Sequence, residues 1–152
     1  MSYYDAIFCV TPIHHASDSE INLFLSACHS CLKVGGILVI AEVMLNSKTA
    51  HFLDGFVNDY SLTAHKGNYP SEDFIKKMKS TGFDNLTCKV INLSWGFNSE
   101  IELTDCISLV FGLKKLNHDF LLNALNELLG VTKIGEKFHL NWELVYFDCC
   151  KT

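Results

Sequence analysis

A chain of 152 residues has the length of about one domain and can bury a proper core. Hydrophobic residues make up 49% and charged residues 19%, which excludes a disordered chain and fits an α/β protein. A net charge of −5 argues against nucleic acid as a partner, since no basic face is spared for phosphates, and no apolar run is long enough to span a bilayer.

The first element lies in "YDAIFCVTPIHH", Tyr4 to His15. Asp5 to Val10 is predicted as a buried strand, and Thr11 to His15 as the loop leaving its carboxyl end. Ser17-Asp18-Ser19-Glu20 is an S-x-x-E capping box that starts a helix. Ile21, Phe24, Leu25, Cys28 and Leu32 repeat behind it at helical spacing. Gly35-Gly36 is expected to turn the chain into "ILVIAEVML", Ile37 to Leu45, whose continuous apolar character suits a parallel strand covered on both faces.

Lys48 to Leu62 is predicted helical, with Phe52, Phe56 and Tyr60 four apart on one side. Pro70 and Ser71 open a further helix with Phe74, Ile75 and Met78 inward, and Gly82 ends it. A third strand follows from Asn85 to Trp95. Ser99 to Glu102 is a second S-x-x-E box, ahead of a helix with Leu103, Cys106, Ile107 and Val110 on one face. Another helix runs from about Asp119 to Leu129 and stops at Gly130. The final strand carries Phe138, Leu140, Trp142, Leu144 and Tyr146 in alternation. Strands alternating with helices predict an open, mostly parallel sheet with helices on both faces.

Seven cysteines is a high, odd count. The amino terminus has neither a basic n-region nor a long apolar h-region, so the thiols are expected reduced and the protein cytoplasmic. Cys28-His29-Ser30-Cys31 spells C-x-x-C, but Cys28 belongs to an apolar helical stripe and no second ligand pair completes a zinc site. No metal is expected.

The ordered set "YDAIFC…HH", "CLKVGGILVIAE", "SEDFIKKMKSTGF" and "FHLNWELVYF" resembles the carboxyl-terminal half of a class I S-adenosylmethionine-dependent methyltransferase. The resemblance implies a partial Rossmann-like methyltransferase sheet of about four strands with an antiparallel last strand. Residues 1–152 would form a single incomplete domain, and 99–130 a helical, lid-like insertion. It implies S-adenosylmethionine as cofactor, with Cys9, Val10, Thr11 and Pro12 as part of its site. The departure is as informative. The family has a Gly-rich turn after its first strand and an acidic residue after its second, and this sequence has no G-x-G.

In open α/β sheets the site forms at the carboxyl ends of the strands. His14 and His15 are the candidate bases for methyl transfer to a small acceptor, since a neutral imidazole can take a proton at physiological pH. Glu42, Phe56, Tyr60, His65 and Trp95 are the candidate acceptor contacts, Glu42 being equally suited to binding backbone N–H groups. Two partners are expected from the missing strands. One is a separate chain supplying the cofactor half, which a substrate-side methyltransferase half needs for activity. The other is a second copy paired through Asp5 to Val10, which would make the chain a non-catalytic relic serving as a homodimerisation module.

Overall fold

The computed structural model describes residues 2–11 and 13–152. Its elements run β1 (Tyr4–Val10), a 3-10 turn (Ile13–His15), α1 (Asp18–Cys31), β2 (Leu32–Glu42), α2 (Lys48–His51), a π-helix (Phe52–Val57) and α3 (Asn58–Tyr60). They continue with α4 (Phe74–Ser80), β3 (Phe83–Phe97), α5 (Glu100–Val110), α6 (His118–Leu128), β4 (Val131–Ile134) and β5 (Lys137–Lys151). The strands form an open five-stranded sheet in the order β1-β2-β5-β3, with β4 paired to β5. β1 and β2 are parallel, and β5 is antiparallel to both β2 and β4. The architecture is the expected α/β one with an antiparallel last strand, and β4 is the strand beyond the four expected.

Two compact units divide the chain. The first comprises the chain up to Leu45, Asn68–Ile91 and Leu144–Thr152. Its core packs Ile21, Leu25 and Cys28 of α1 and Phe74 and Met78 of α4 onto Leu38, Ile40, Val145, Phe147 and Cys149 of the sheet. The capping box of α1 is complete. Ser17 N–H donates to Glu20 Oε2 at 2.7 Å, and Glu20 N–H donates to Ser17 Oγ at 3.4 Å.

Gly35-Gly36 does not precede β2 but lies inside it. Tyr4 pairs with Leu32 and Ala6 with Ile37, so two steps of β1 face five of β2, and Gly35 takes a φ of 79° in the bulge. The stretch that reads as a turn is thus an irregular start to the strand. Leu32, read as the end of the helical stripe, is its first residue.

The second unit comprises Asn46–Gly67 and Asn92–Glu143. Ser47 caps its first helix by accepting the Ala50 N–H at 3.0 Å. The predicted helix from Lys48 is present as far as Tyr60, with a π-helical middle. Phe52 and Phe56 are buried and stacked, 5.8 Å apart at 12°.

In α5, Ser99 Oγ accepts the Glu102 N–H at 3.1 Å, but the Glu102 carboxylate reaches back one residue further, to the Asn98 N–H at 2.7 Å. Leu103 and Ile107 are buried as expected, with Thr104 beside them. Cys106 is only partly covered and Val110 is exposed, because Val110 closes the last turn before Gly112 bends the chain at a φ of 56°.

β4 was not expected from sequence. It pairs Ile134 with Lys137 across the two-residue loop Gly135-Glu136, where Gly135 has a φ of 61°, the hairpin geometry that needs glycine first. β5 changes its buried parity midway. Leu140, Trp142 and Leu144 are buried in its first part, then Val145, Phe147 and Cys149. Tyr146, read as inward-facing, is accordingly only partly covered.

Candidate active site

The parallel pairing of β1 and β2 decides what meets at their carboxyl ends. Val10 lies opposite Ala41, so the exit of β1 emerges beside Glu42. Thr11 keeps one more ladder bond, its N–H donating to the Ala41 carbonyl at 2.8 Å, then turns with a φ of 58°. The 3-10 turn Ile13–His15 follows, aimed back at the end of β2.

Glu42 is wholly buried. Its Oε2 accepts the N–H groups of Ile13 at 3.0 Å and His14 at 3.3 Å, and its Oε1 accepts the Val43 N–H at 2.7 Å. Oε1 also lies 2.7 Å from Nδ1 of buried His14. A carboxylate offers only acceptors, so the proton of that contact belongs to Nδ1. In the neutral ring this makes Nε2 the basic nitrogen. The His14 ring stacks on buried Tyr69, centroids 5.4 Å apart at 25°, and tilts against exposed His15 at 4.0 Å. The His14 carbonyl accepts the Asn68 N–H at 2.7 Å, so both backbone and ring are held.

The site therefore contains a carboxylate-oriented imidazole, a device suited to accepting a proton or a hydrogen bond at Nε2. Its assembly brings together His14, His15 and Glu42 of the sequence-predicted residues. Glu42 turns its carboxylate to three backbone N–H groups and to His14, rather than into open space. Tyr69 and Asn68 join the site unannounced, since nothing in "GNYP" distinguishes them from an ordinary loop.

Among the expected cofactor contacts, Cys9 is half-buried, and its thiol is pushed up by burial and, secondarily, by the charge of Glu42. Val10 is exposed and Thr11 partly so, while Pro12 lies outside the described residues. The positive-φ glycines are Gly35 inside β2, and Gly82, Gly112, Gly130 and Gly135, which lie at helix ends or in the hairpin turn. None of these glycines opens a helix after a strand.

The other predicted acceptor contacts belong to the second unit. Phe56 packs against Tyr60 at 4.7 Å, and Tyr60 meets Phe120 edge-on at 5.5 Å. Trp95 tilts against Trp142 at 5.2 Å. His65 Nδ1 lies 3.2 Å from Asp54 Oδ1, which also accepts the Gly67 N–H at 2.9 Å. A cleft of about 380 Å³ in this unit is lined by Lys48, Thr49, Asn92, Leu129, Trp142 and Glu143, none of them a predicted site residue.

Cys28 of the C-x-x-C segment packs in the core of the first unit. Burial, with lesser help from Cys9 and Cys31, pushes its thiol up to about 11. It is neutral at physiological pH and poorly suited to metal or redox chemistry.

No protein-family model and no curated protein matches the sequence. Solved structures match almost all of it. A Bacillus halodurans protein described as a methyltransferase aligns with 99% of this chain at 13% identity and a TM-score of 0.61. An S-adenosylmethionine-dependent methyltransferase of Archaeoglobus fulgidus covers 99% at 15% identity and a TM-score of 0.54. The phosphoethanolamine N-methyltransferase 2 of Haemonchus contortus, solved with S-adenosyl-L-methionine, covers 97% at 18% identity and a TM-score of 0.52. The chain spans 70%, 60% and 33% of the length of these proteins, respectively. At such identities the likeness shows the fold, and the chain has a class I S-adenosylmethionine-dependent methyltransferase-like fold.

Proposed function

We propose that the chain is the substrate-side part of an S-adenosylmethionine-dependent methyltransferase acting on a small molecule, with His14 as its base. The observation that carries this reading is the buried Glu42–His14 pair at the exit of β1, 2.7 Å between Oε1 and Nδ1. Bound S-adenosylmethionine would supply an electrophilic methyl group on its sulfonium. The chain's own residues hold the base. Glu42 fixes the His14 tautomer and faces the imidazolium that forms, and Tyr69 restrains the ring plane. His14 Nε2 takes the proton that the acceptor oxygen, nitrogen or carbon gives up as it is methylated.

Cys9, Val10 and Thr11 are proposed as one wall of the cofactor site, the remaining cradle coming from a Gly-rich segment outside these residues. That segment corresponds to the amino-terminal half of the fold. A cytoplasmic location is part of the proposal, supported by the seven cysteines standing as free thiols; no helix among the described residues is long and apolar enough to cross a membrane.

The test is labelled-methyl transfer by the assembled enzyme. Replacing His14→Gln lowers turnover by about 10²- to 10⁴-fold while leaving the Kd for S-adenosylhomocysteine unchanged. Wild-type turnover in that variant sinks the base. Tight S-adenosylmethionine binding by this chain alone would show that the cradle is already complete.

A further inference from the structure

We propose that the cleft of the second unit, between the start of α2 and residues 141–143 of β5, binds a small zwitterion of the free amino-acid type. The proposal stands on this unit alone and does not rest on the methyl transfer proposed above.

The cleft opens where β5 runs past its ladder with β4. That ladder ends at Leu140, paired with Val131. Beyond it the Asn141 N–H donates to the Gly130 carbonyl at 3.0 Å. The Glu143 N–H donates to Thr49 Oγ1 at 3.4 Å, and the Thr49 hydroxyl donates to the Glu143 carbonyl at 3.5 Å. Thr49 is wholly buried, so this clasp holds the start of α2 to β5. The backbone of β5 is satisfied here by a loop carbonyl and a hydroxyl, and a cleft of about 380 Å³ lies beside it. Small-molecule sites have volumes of this order.

The lining combines an apolar wall with a polar one. Leu129 and Trp142, both buried, and half-buried Leu93 form the first. Lys48, Asn92, Asn141 and Glu143 form the second. The side chains of these four make no hydrogen bond or ion pair among the described residues. Lys48 and Glu143 carry opposite charges across one cleft and are not paired with each other.

That separation selects the ligand. A molecule bringing a carboxylate to Lys48 and an ammonium to Glu143 makes two charge-assisted contacts at once. The two carboxamides add donors for its carboxylate and acceptors for its ammonium. A polyphosphate or dicarboxylate would set a second anion against Glu143, and a diamine a second cation against Lys48. A neutral sugar leaves both charges to water. The apolar wall fits an aliphatic or aromatic side chain, so leucine, methionine and phenylalanine should bind ahead of aspartate and lysine.

Isothermal titration of the full chain with the free protein L-amino acids, one at a time and without cofactor, tests the assignment. The preferred amino acid is expected to bind about 10- to 100-fold tighter than its deaminated acid or its decarboxylated amine. Phenylalanine, phenylpropionate and phenethylamine are one such trio. Glu143→Gln should erase the advantage over the deaminated acid alone, and Lys48→Met the advantage over the amine alone. Tm should stay near that of the wild type in both variants, since neither side chain holds a partner. Amide resonances of Thr49, Asn141 and Glu143 should shift on binding. Three results would each overturn the proposal: no binding at millimolar concentration, equal binding of the acid or the amine, or resonance shifts confined to other residues.

Discussion

Oε1 of Glu42 lies 2.7 Å from Nδ1 of His14, with both side chains buried and the same carboxylate holding three backbone N–H groups. The pair is thus structural and chemical together. Glu42→Ala strands the N–H groups of Ile13, His14 and Val43 along with the imidazole. It is expected to cost about 3–5 kcal/mol, read from urea unfolding. Glu42→Gln keeps one acceptor oxygen and should cost about 1–3 kcal/mol. Equal costs for the two variants would show that the acceptor oxygen kept by Gln does nothing to hold the turn.

Two glycines should respond in opposite directions. A Cβ on Gly36 would sit 2.9 Å from the Lys33 carbonyl oxygen and 3.2 Å from that of Asp5, both backbone atoms that cannot swing aside. Gly36→Ala is expected to destabilise by about 1–3 kcal/mol. Gly55 lies in the π-helix with open space where its Cβ would be. Gly55→Ala should raise stability by about 0.5–1 kcal/mol by restricting the unfolded chain. Thermal melts of the two variants check both signs.

Stability should fall in alkali. Burial pushes the Cys28 thiol up to about 11 and the Cys149 thiol up to about 12, from an ordinary 9.0. Above pH 9.0 the unfolded chain releases these protons while the folded chain keeps them. Their contribution is therefore whole below pH 9.0 and is lost as pH rises towards 11 and 12. The slope reaches at most about 1.4 kcal/mol per pH unit for each thiol. Urea midpoints measured on both sides of pH 9.0 should show it, and Cys28→Ala should flatten it. An unchanged slope in that variant refutes the assignment.

The N-cap of α6 offers a smaller effect. Asn117 Oδ1 accepts the N–H groups of Asp119 at 2.9 Å and Phe120 at 3.2 Å. Asn117→Ala should cost about 1 kcal/mol, measurable by denaturant titration.

Most elements were legible because their signals are local. The Ser17–Glu20 box, the apolar run of β2 and Gly82 after α4 each act within a few residues, and each appears where expected. β4 also had a local signal, Gly135 opening a two-residue loop. It was masked because Val131 to Ile134 is short and its two polar residues, Thr132 and Lys133, sit side by side and break the alternation of a strand. The bulge in β2 was not legible, since a Gly-Gly pair reads as a turn until the register of β1 is known. The site was half legible. His14 and Glu42 announce themselves by residue type at strand ends, whereas their mutual contact depends on the Val10–Ala41 register, and Tyr69 depends on tertiary packing alone.

The central place of β5 has a consequence for how the chain acquires its structure. Leu38 and Cys149 are neighbours in the finished sheet, yet they stand 111 positions apart in sequence. During synthesis the inner border of β2 therefore waits, unpaired, until nearly all of these residues have left the ribosome. Closing so long a loop comes late and slowly. In that interval Leu38 and Ile40 present an apolar strand to any other nascent chain, which makes this stretch the point where a chaperone is of most use.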